Sequence, residues 1–279
     1  MNKRKIRIIP RLEIKNGLLV KGINLEGLRV LGDPLKFSEN YYNYGADEII
    51  YTDVVATLYG TNNLSKFVKR TSEKIFVPLT VGGGIRSIND IEEMLKNGAD
   101  KVSINSSAID NLNFVYEASR IFGSSTIVSN IECVKIKNKY FISKSNGRDL
   151  VKVDPLIWAK KLEDSGVGEI VLVSVNHEGL KYGFDLKILD KISSKINIPV
   201  IAAGGAGEFQ HVYDVIRKTN ISGVSISSLF HYNICSQFKF KKKKIGNFHY
   251  LEELKRKKDE YPILKLKKFL KLKGIDVRS

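Results

Sequence analysis

Along most of the chain, short apolar runs rich in β-branched residues alternate with longer stretches whose apolar positions recur every three or four residues. The short runs at 6–12, 48–54, 77–81, 101–104, 126–131, 169–175, 200–203 and 223–226 predict eight strands. The longer stretches predict helices at 35–44, 64–73, 87–97, 111–122, 154–165, 185–195, 209–219 and 263–272. Their ends carry the expected chemistry. Asp33-Pro34, Asn63 and Ser87 stand at starts, where a side-chain oxygen satisfies free N–H groups, and Gly98, Gly123, Gly166 and Gly274 stand at stops. Eight strand–helix units imply parallel strands joined by right-handed crossovers, and eight such units close into a (β/α)8 TIM barrel.

A long internal repeat supports closure over a doubly wound open sheet. Pro78-Leu79-Thr80-Val81-Gly82-Gly83-Gly84 is echoed by Pro199-Val200-Ile201-Ala202-Ala203-Gly204-Gly205, and Lys101-Val102-Ser103-Ile104-Asn105-Ser106 by Gly223-Val224-Ser225-Ile226-Ser227-Ser228. The offset of about 121 residues lies far outside the roughly 20–50 residues of solenoid repeats. The chain therefore reads as one barrel domain, residues 1–279, built from half-barrels of about 1–123 and 124–279. Two segments leave the regular unit. The polar stretch 135–149 has a possible hairpin around Lys137-Asn138-Lys139, and 232–260 is a lysine-rich insertion.

Composition narrows the classes. The chain has 279 residues, 43% hydrophobic, enough for a large core. No run of about 18 apolar residues predicts a membrane span. The start Met1-Asn2-Lys3-Arg4-Lys5 lacks the apolar stretch of a signal peptide, so a cytoplasmic protein is expected. The formal charge is +16, of which 239–279 carries +10. No nucleic-acid recognition motif accompanies it, so a basic surface or an acidic partner is favoured over nucleic acid. Cys133 and Cys235 lack metal-ligand spacing with the histidines, and neither metal nor cofactor is expected.

In such a barrel the chemistry sits at the C-terminal strand ends. Strand one is expected to end at Glu13 and strand five at Glu132, matching places in the two halves. Opposed carboxylates suit general acid and base work on one substrate. Gly82, Gly83, Gly84, Asn105 and Ser106 form one candidate phosphate grip, and Gly204, Gly205, Ser227 and Ser228 the other, with Gly179 beside it. Glycine lets backbone N–H groups approach phosphate oxygens, and hydroxyls add donors. Paired turns in both halves imply a ligand with a phosphate at each end. Lys21, on a loop after strand one, is a candidate clamp for an anion, while His177 reads as a bystander. At the opposite mouth, Arg7, Glu48, Lys101 and Glu169 would form a ring of paired charges if they point inward, either a plug or a gate.

Ile8-Ile9-Pro10, Val20-Lys21-Gly22, Gly32-Asp33-Pro34, Thr80-Val81-Gly82-Gly83-Gly84-Ile85, Ala99-Asp100-Lys101-Val102-Ser103-Ile104-Asn105 and Gly204-Gly205-Ala206-Gly207 together resemble the cyclase subunit of imidazole glycerol phosphate synthase. The resemblance runs from about 7 to 231 and resumes at 261–278. It implies a lyase of histidine biosynthesis with a bisphosphorylated ribonucleotide substrate, a glutaminase (glutamine amidotransferase) partner, and an ammonia gate at Arg7, Glu48, Lys101 and Glu169. It also implies catalytic aspartates where this chain has Glu13 and Glu132, a small uncharged residue at Arg11, an Asp at Glu178 and a Thr at Leu180. Those departures raise an alternative, a second-copy paralogue channelling ammonia to a sugar-amidinating enzyme of surface-polysaccharide (lipopolysaccharide) synthesis. A non-catalytic scaffold barrel is the third reading.

Overall fold

The computed structural model describes residues 5–56, 64–235 and 262–278. Eight parallel strands close into a barrel: β1 (Arg7–Lys15), β4 (Ile49–Asp53), β5 (Leu79–Gly82), β6 (Lys101–Ile104), β7 (Ile127–Ile136), β10 (Glu169–Ser174), β11 (Val200–Ala203) and β12 (Gly223–Ile226). The pairings β1–β12 and β7–β10 complete the circle. Helices α1 (Pro34–Asn43), α2 (Ser65–Ser72), α3 (Ile88–Lys96), α4 (Ser106–Asp110), α5 (Leu112–Phe122), α6 (Pro155–Asp164), α7 (Leu186–Ser193), α8 (Phe209–Lys218), α9 (Ser228–Ile234) and α10 (Pro262–Leu272) lie among them in chain order.

The caps hold as expected at α1, where Asp33 accepts from Leu35 N at 3.0 Å, and at α3, where Ser87 and Asp90 form a reciprocal capping box. Asn63 lies outside the described residues, and Leu64 takes the cap position of α2 without a side-chain bond. Most of the lysine-rich stretch, 236–260, is also outside them. Its first residues, 232–234, belong to α9.

Two expectations are corrected. Strands one and five do not end at Glu13 and Glu132. They run on to Lys15 and Ile136, because each pairs there with an antiparallel arm. In the first half the arm is β2 (Leu18–Ile23) with β3 (Glu26–Gly32). In the second it is β8 (Lys139–Lys144) with β9 (Asp149–Val151). Lys21 therefore sits inside β2, not on a loop. The expected hairpin at Lys137 is present, with Lys137 at φ 54, and Asn16 turns the other arm at φ 50.

Alternation along each barrel strand sorts the side chains into two cores. Ile8, Leu12 and Ile14 of β1 face the helices. Ile9 points inward, joining Ile50, Val128, Val171, Val173, Ile201 and Ala203 in a separate apolar layer. Arg7 lies two residues before Ile9 and Arg11 and Glu13 two and four after it, so the same face of β1 runs from one mouth to the other.

Candidate active site

At the C-terminal mouth, Arg11, Glu13, Lys21 and Glu178 form a closed cycle of alternating charge, all four buried. Arg11 Nη2 donates to Glu13 Oε1 at 2.7 Å and lies 3.1 Å from Glu178 Oε2. Lys21 Nζ lies 3.1 and 3.0 Å from the two oxygens of Glu13 and also contacts Glu178 Oε1. Burial alone would raise the Glu178 pKa, but Lys21 and Arg11 outweigh it and hold this carboxyl below its ordinary range.

Glu132 occupies the same register as Glu13. Thr52 stands beside Glu13 and Val173 beside Glu132, and these neighbours are themselves about 121 residues apart. Its surroundings differ. Glu132 accepts from Gly147 N at 2.8 Å, and Ser143 Oγ lies 3.5 Å away. No cation is in salt-bridge contact with it among the described residues. Burial raises its pKa to about 7, against the lowering pull of Gly147, Arg11, Asn105 and Ser143. A group so placed exchanges a proton near neutrality.

The two carboxylates face a shared space of about 20 Å³ that Asn130, Thr52 and Asn146 also line. Beyond Glu132 opens a cavity of about 750 Å³ lined by Gly82, Gly83, Gly84, Ser103, Asn105 and Ser106, the whole first candidate grip. Gly83 has φ 100, and a Cβ there would lie 2.3 Å from Asp53 O, so only glycine fits. The second grip, Gly179, Gly204, Gly205, Ser227 and Ser228, encloses only about 10 Å³ and shares its wall with Glu178. A Cβ on Gly204 would meet Glu178 Oε2 at 3.3 Å, so this carboxylate borders the second cradle. Asn105 Oδ1, Ser225 Oγ and Ser228 Oγ are buried without a hydrogen-bond partner among the described residues, and all three line one cradle or the other. Such orphans cost about 1–3 kcal/mol each and are relieved by a polar ligand.

At the opposite mouth the expected ring closes. Arg7 Nη1 lies 2.9 Å from Glu48 and Arg7 Nη2 contacts Glu169, while Lys101 Nζ lies 2.9 Å from Glu48 and 3.3 Å from Glu169. Thr80 Oγ1 donates to Glu48 at 2.9 Å. The inward apolar layer separates this ring from the carboxylates above.

The structure thus brings together each predicted set, with Lys21 shifted from loop to strand. His177 stays outside, its Nδ1 2.8 Å from Gly183 O and its Nε2 3.7 Å from Asp185. Sequence reasoning missed Asn130 and Thr52, which strand alternation places on the inward face, and Gly147, announced only by the turn-forming Asn146-Gly147 pair. It also missed what fixes the Arg11 backbone. Ser227 Oγ donates to Arg11 O at 2.8 Å, and His231 Nε2 is 2.9 Å from the same oxygen. His231 Nδ1 faces the Tyr41 hydroxyl at 2.5 Å. Burial lowers the His231 pKa to about 3, so the ring is neutral: Nε2–H donates to Arg11 O and Nδ1 accepts from Tyr41. Among the described residues no group of three or more His, Cys, Asp or Glu is placed to hold a metal, and no helix is long and apolar enough to cross a membrane.

A family model described as a histidine biosynthesis protein matches residues 7–236. The imidazole glycerol phosphate synthase subunit HisF of Legionella pneumophila is 48% identical over 206 residues, 74% of this chain and 97% of its own length. The subunit of the same name from Bacillus cereus (strain G9842) is 43% identical over 227 residues, 81% of this chain and 90% of its own. That of Campylobacter concisus (strain 13826) is 40% identical over 278 residues, covering 100% of both chains.

Proposed function

The chain belongs to the histidine biosynthesis protein family, among the imidazole glycerol phosphate synthase subunits HisF, and on that premise we propose that it is the ammonia-dependent cyclase of that synthase. Its substrate is the bisphosphorylated formimino-aminoimidazole carboxamide ribonucleotide, and its products are imidazole glycerol phosphate and aminoimidazole carboxamide ribonucleotide. The observation that carries the proposal is the pair Glu13 and Glu132, in matching register between two duplicated cradles. One phosphate is gripped by Gly82–Gly84, Asn105 and Ser106. The other is gripped by Gly179, Gly204, Gly205, Ser227 and Ser228, in the cradle that Glu178 borders. The reacting centre then lies between the carboxylates.

Glu132, with its pKa at about 7, supplies and recovers the proton, while Glu13, pinned between two cations, acts as a carboxylate. Ammonia addition and ring closure each need a proton removed from nitrogen and one delivered to a leaving group, and two carboxyls in unlike surroundings serve both. We place the glutaminase partner at the opposite mouth. Arg7, Glu48, Lys101 and Glu169 are then the gate through which ammonia enters the apolar layer. The chemistry asks for no cofactor, and the expected cytoplasmic location goes with this role. The relatives' names favour the cyclase over an ammonia-channelling paralogue for sugar amidination and over a scaffold.

The test supplies the purified chain with free ammonia and the bisphosphate ribonucleotide and follows both products. Turnover lowered at least about 100-fold by Glu13→Gln and by Glu132→Gln is expected. Absence of wild-type turnover, with stimulation of a bound glutaminase intact, would favour the channelling paralogue instead.

A further inference from the structure

The carboxylate Glu13 is held by two cations where a single lysine would balance it. The second cation, Arg11, stands two residues earlier on β1, so strand alternation turns both side chains to the barrel interior. The guanidinium reaches Glu13 at 2.7 Å and Glu178, which lies on the segment beyond β10, at 3.1 Å. That segment also carries Gly179, and Glu178 borders Gly204, so it forms one wall of the second cradle. The Arg11 backbone is fixed independently by Ser227 and His231, both from the β12–α9 side of that cradle. One residue therefore touches the first-half carboxylate, the second-half wall and the large cavity at once.

We propose that Arg11 is a positioning residue for the reaction: it bridges Glu13 to Glu178, holding the first-half carboxylate aimed while it anchors the wall of the second cradle. The inference rests on the cyclase function proposed above. The count of charges supports it. With Arg11 present, the cluster holds Arg11 and Lys21 against Glu13 and Glu178 and is neutral. Without it, one buried lysine faces two carboxylates, and the contact that spans from β1 to the second cradle is gone. The other ionisable groups nearby do not replace it. Glu132 of β7 is a carboxyl whose field acts on Arg11 when it is ionised, and His231 of α9 is neutral. Lys21 of β2 is already shared by both carboxylates.

The test measures kcat and KM of ammonia-dependent turnover by the full chain. Arg11→Met is expected to lower kcat by about 100-fold, the cost of a misplaced reacting group, and to raise KM for the bisphosphate ribonucleotide, because one side chain serves both Glu13 and the second cradle. Arg11→Lys keeps the charge without the planar fork and should recover part of kcat. Because Arg11 acts through Glu13, adding Arg11→Met to Glu13→Gln should lower kcat by less than about threefold further. Arg11→Gln carries the test if Arg11→Met does not fold, with the same expected losses. A purely structural Arg11 would lower thermal stability and leave kcat and KM in place, and that result in an active enzyme overturns the bridge alone. A double variant in which the two kcat losses multiply overturns it too. Absence of wild-type turnover overturns the cyclase function, and Arg11's part in it, whatever the variants show.

Discussion

The two half-barrels repeat one another in backbone and differ in charge. Glu13 and Glu132 share a register, yet Glu13 lies against Arg11 and Lys21 while Glu132 has a backbone N–H and a distant hydroxyl. The cradles show the same contrast. The first opens into about 750 Å³ and the second encloses about 10 Å³ beside Glu178. Duplication supplies two equivalent positions, and the neighbours then make them chemically unequal. For a reaction that must both give and take protons, that inequality is the useful part.

The sharpest way to break the comparison is to remove each carboxylate in turn. Glu132→Gln and Glu13→Gln are each expected to lower kcat by about 10²–10⁴-fold, the usual worth of a positioned acid or base. Their pH profiles should separate them. If Glu132 acts as the acid, wild-type kcat/KM falls as pH rises through about 7, where its proton leaves. Residual activity of Glu132→Gln should lack that limb, and residual activity of Glu13→Gln should keep it. A limb near 7 surviving in Glu132→Gln would assign the proton elsewhere.

Stability gives a second contrast. The folded-state pKa of Glu132 is raised from 4.5 to about 7, so its favourable protonation is fully present below 4.5 and is lost as pH rises through about 7. The loss amounts to about 3 kcal/mol at one pKa unit per 1.36 kcal/mol. Glu132→Gln should abolish it. Relative to wild type, the variant is expected to melt on the order of 5 °C higher at pH 8 than it does relative to wild type at pH 4. Equal pH dependence in both proteins would show that Glu132 titrates normally.

Much of this was legible in the sequence, because the repeat and the strand period are local signals. Eight strands, the capping residues and the grouping of Gly83 with Ser106 and of Gly204 with Ser228 all follow from spacing. The first-half arm was not legible. Asn16 and Lys137 turn the two arms with nearly the same φ, 50 and 54, yet one reads as asparagine and the other as lysine. Asn24 and Leu25 likewise match Ser145 and Asn146 in φ, at 49 and 65 against 56 and 61, with a different residue at each matched position. Backbone conformation was duplicated while the side chains drifted, so a letter-based repeat passed over it. The Arg11 bridge was hidden for another reason. Its partner Glu178 is 167 positions away, and only barrel closure brings the two together.

Variants in the cradles touch binding more than chemistry and should respond more modestly. Ser228→Ala removes a buried hydroxyl that has no partner among the described residues. Free-protein stability should hold or rise, while KM for the bisphosphate substrate rises about tenfold, one lost charge-assisted hydrogen bond. Asn105→Ala should act in the same direction at the other cradle, with a further upward shift of the Glu132 titration because Asn105 helps lower it. A KM unchanged in both variants would remove these positions from the phosphate grips.

The smallest effect belongs to the contact that joins the two arms. Asn146 Nδ2 donates to Leu25 O at 3.0 Å, from the second arm to the turn of the first, and its neighbour Gly147 carries the N–H that Glu132 accepts. Both sides of this contact hold left-handed backbone, which only surrounding interactions maintain. Asn146→Ala is expected to cost about 1 kcal/mol of stability. It should also loosen Gly147 and move the limb near pH 7 upward by a fraction of a unit, since the N–H that favours the ionised Glu132 is weakened. The sign discriminates. A downward shift would mean that opening the arms wets Glu132 more than it frees Gly147, so that burial outweighs the N–H in setting its proton affinity.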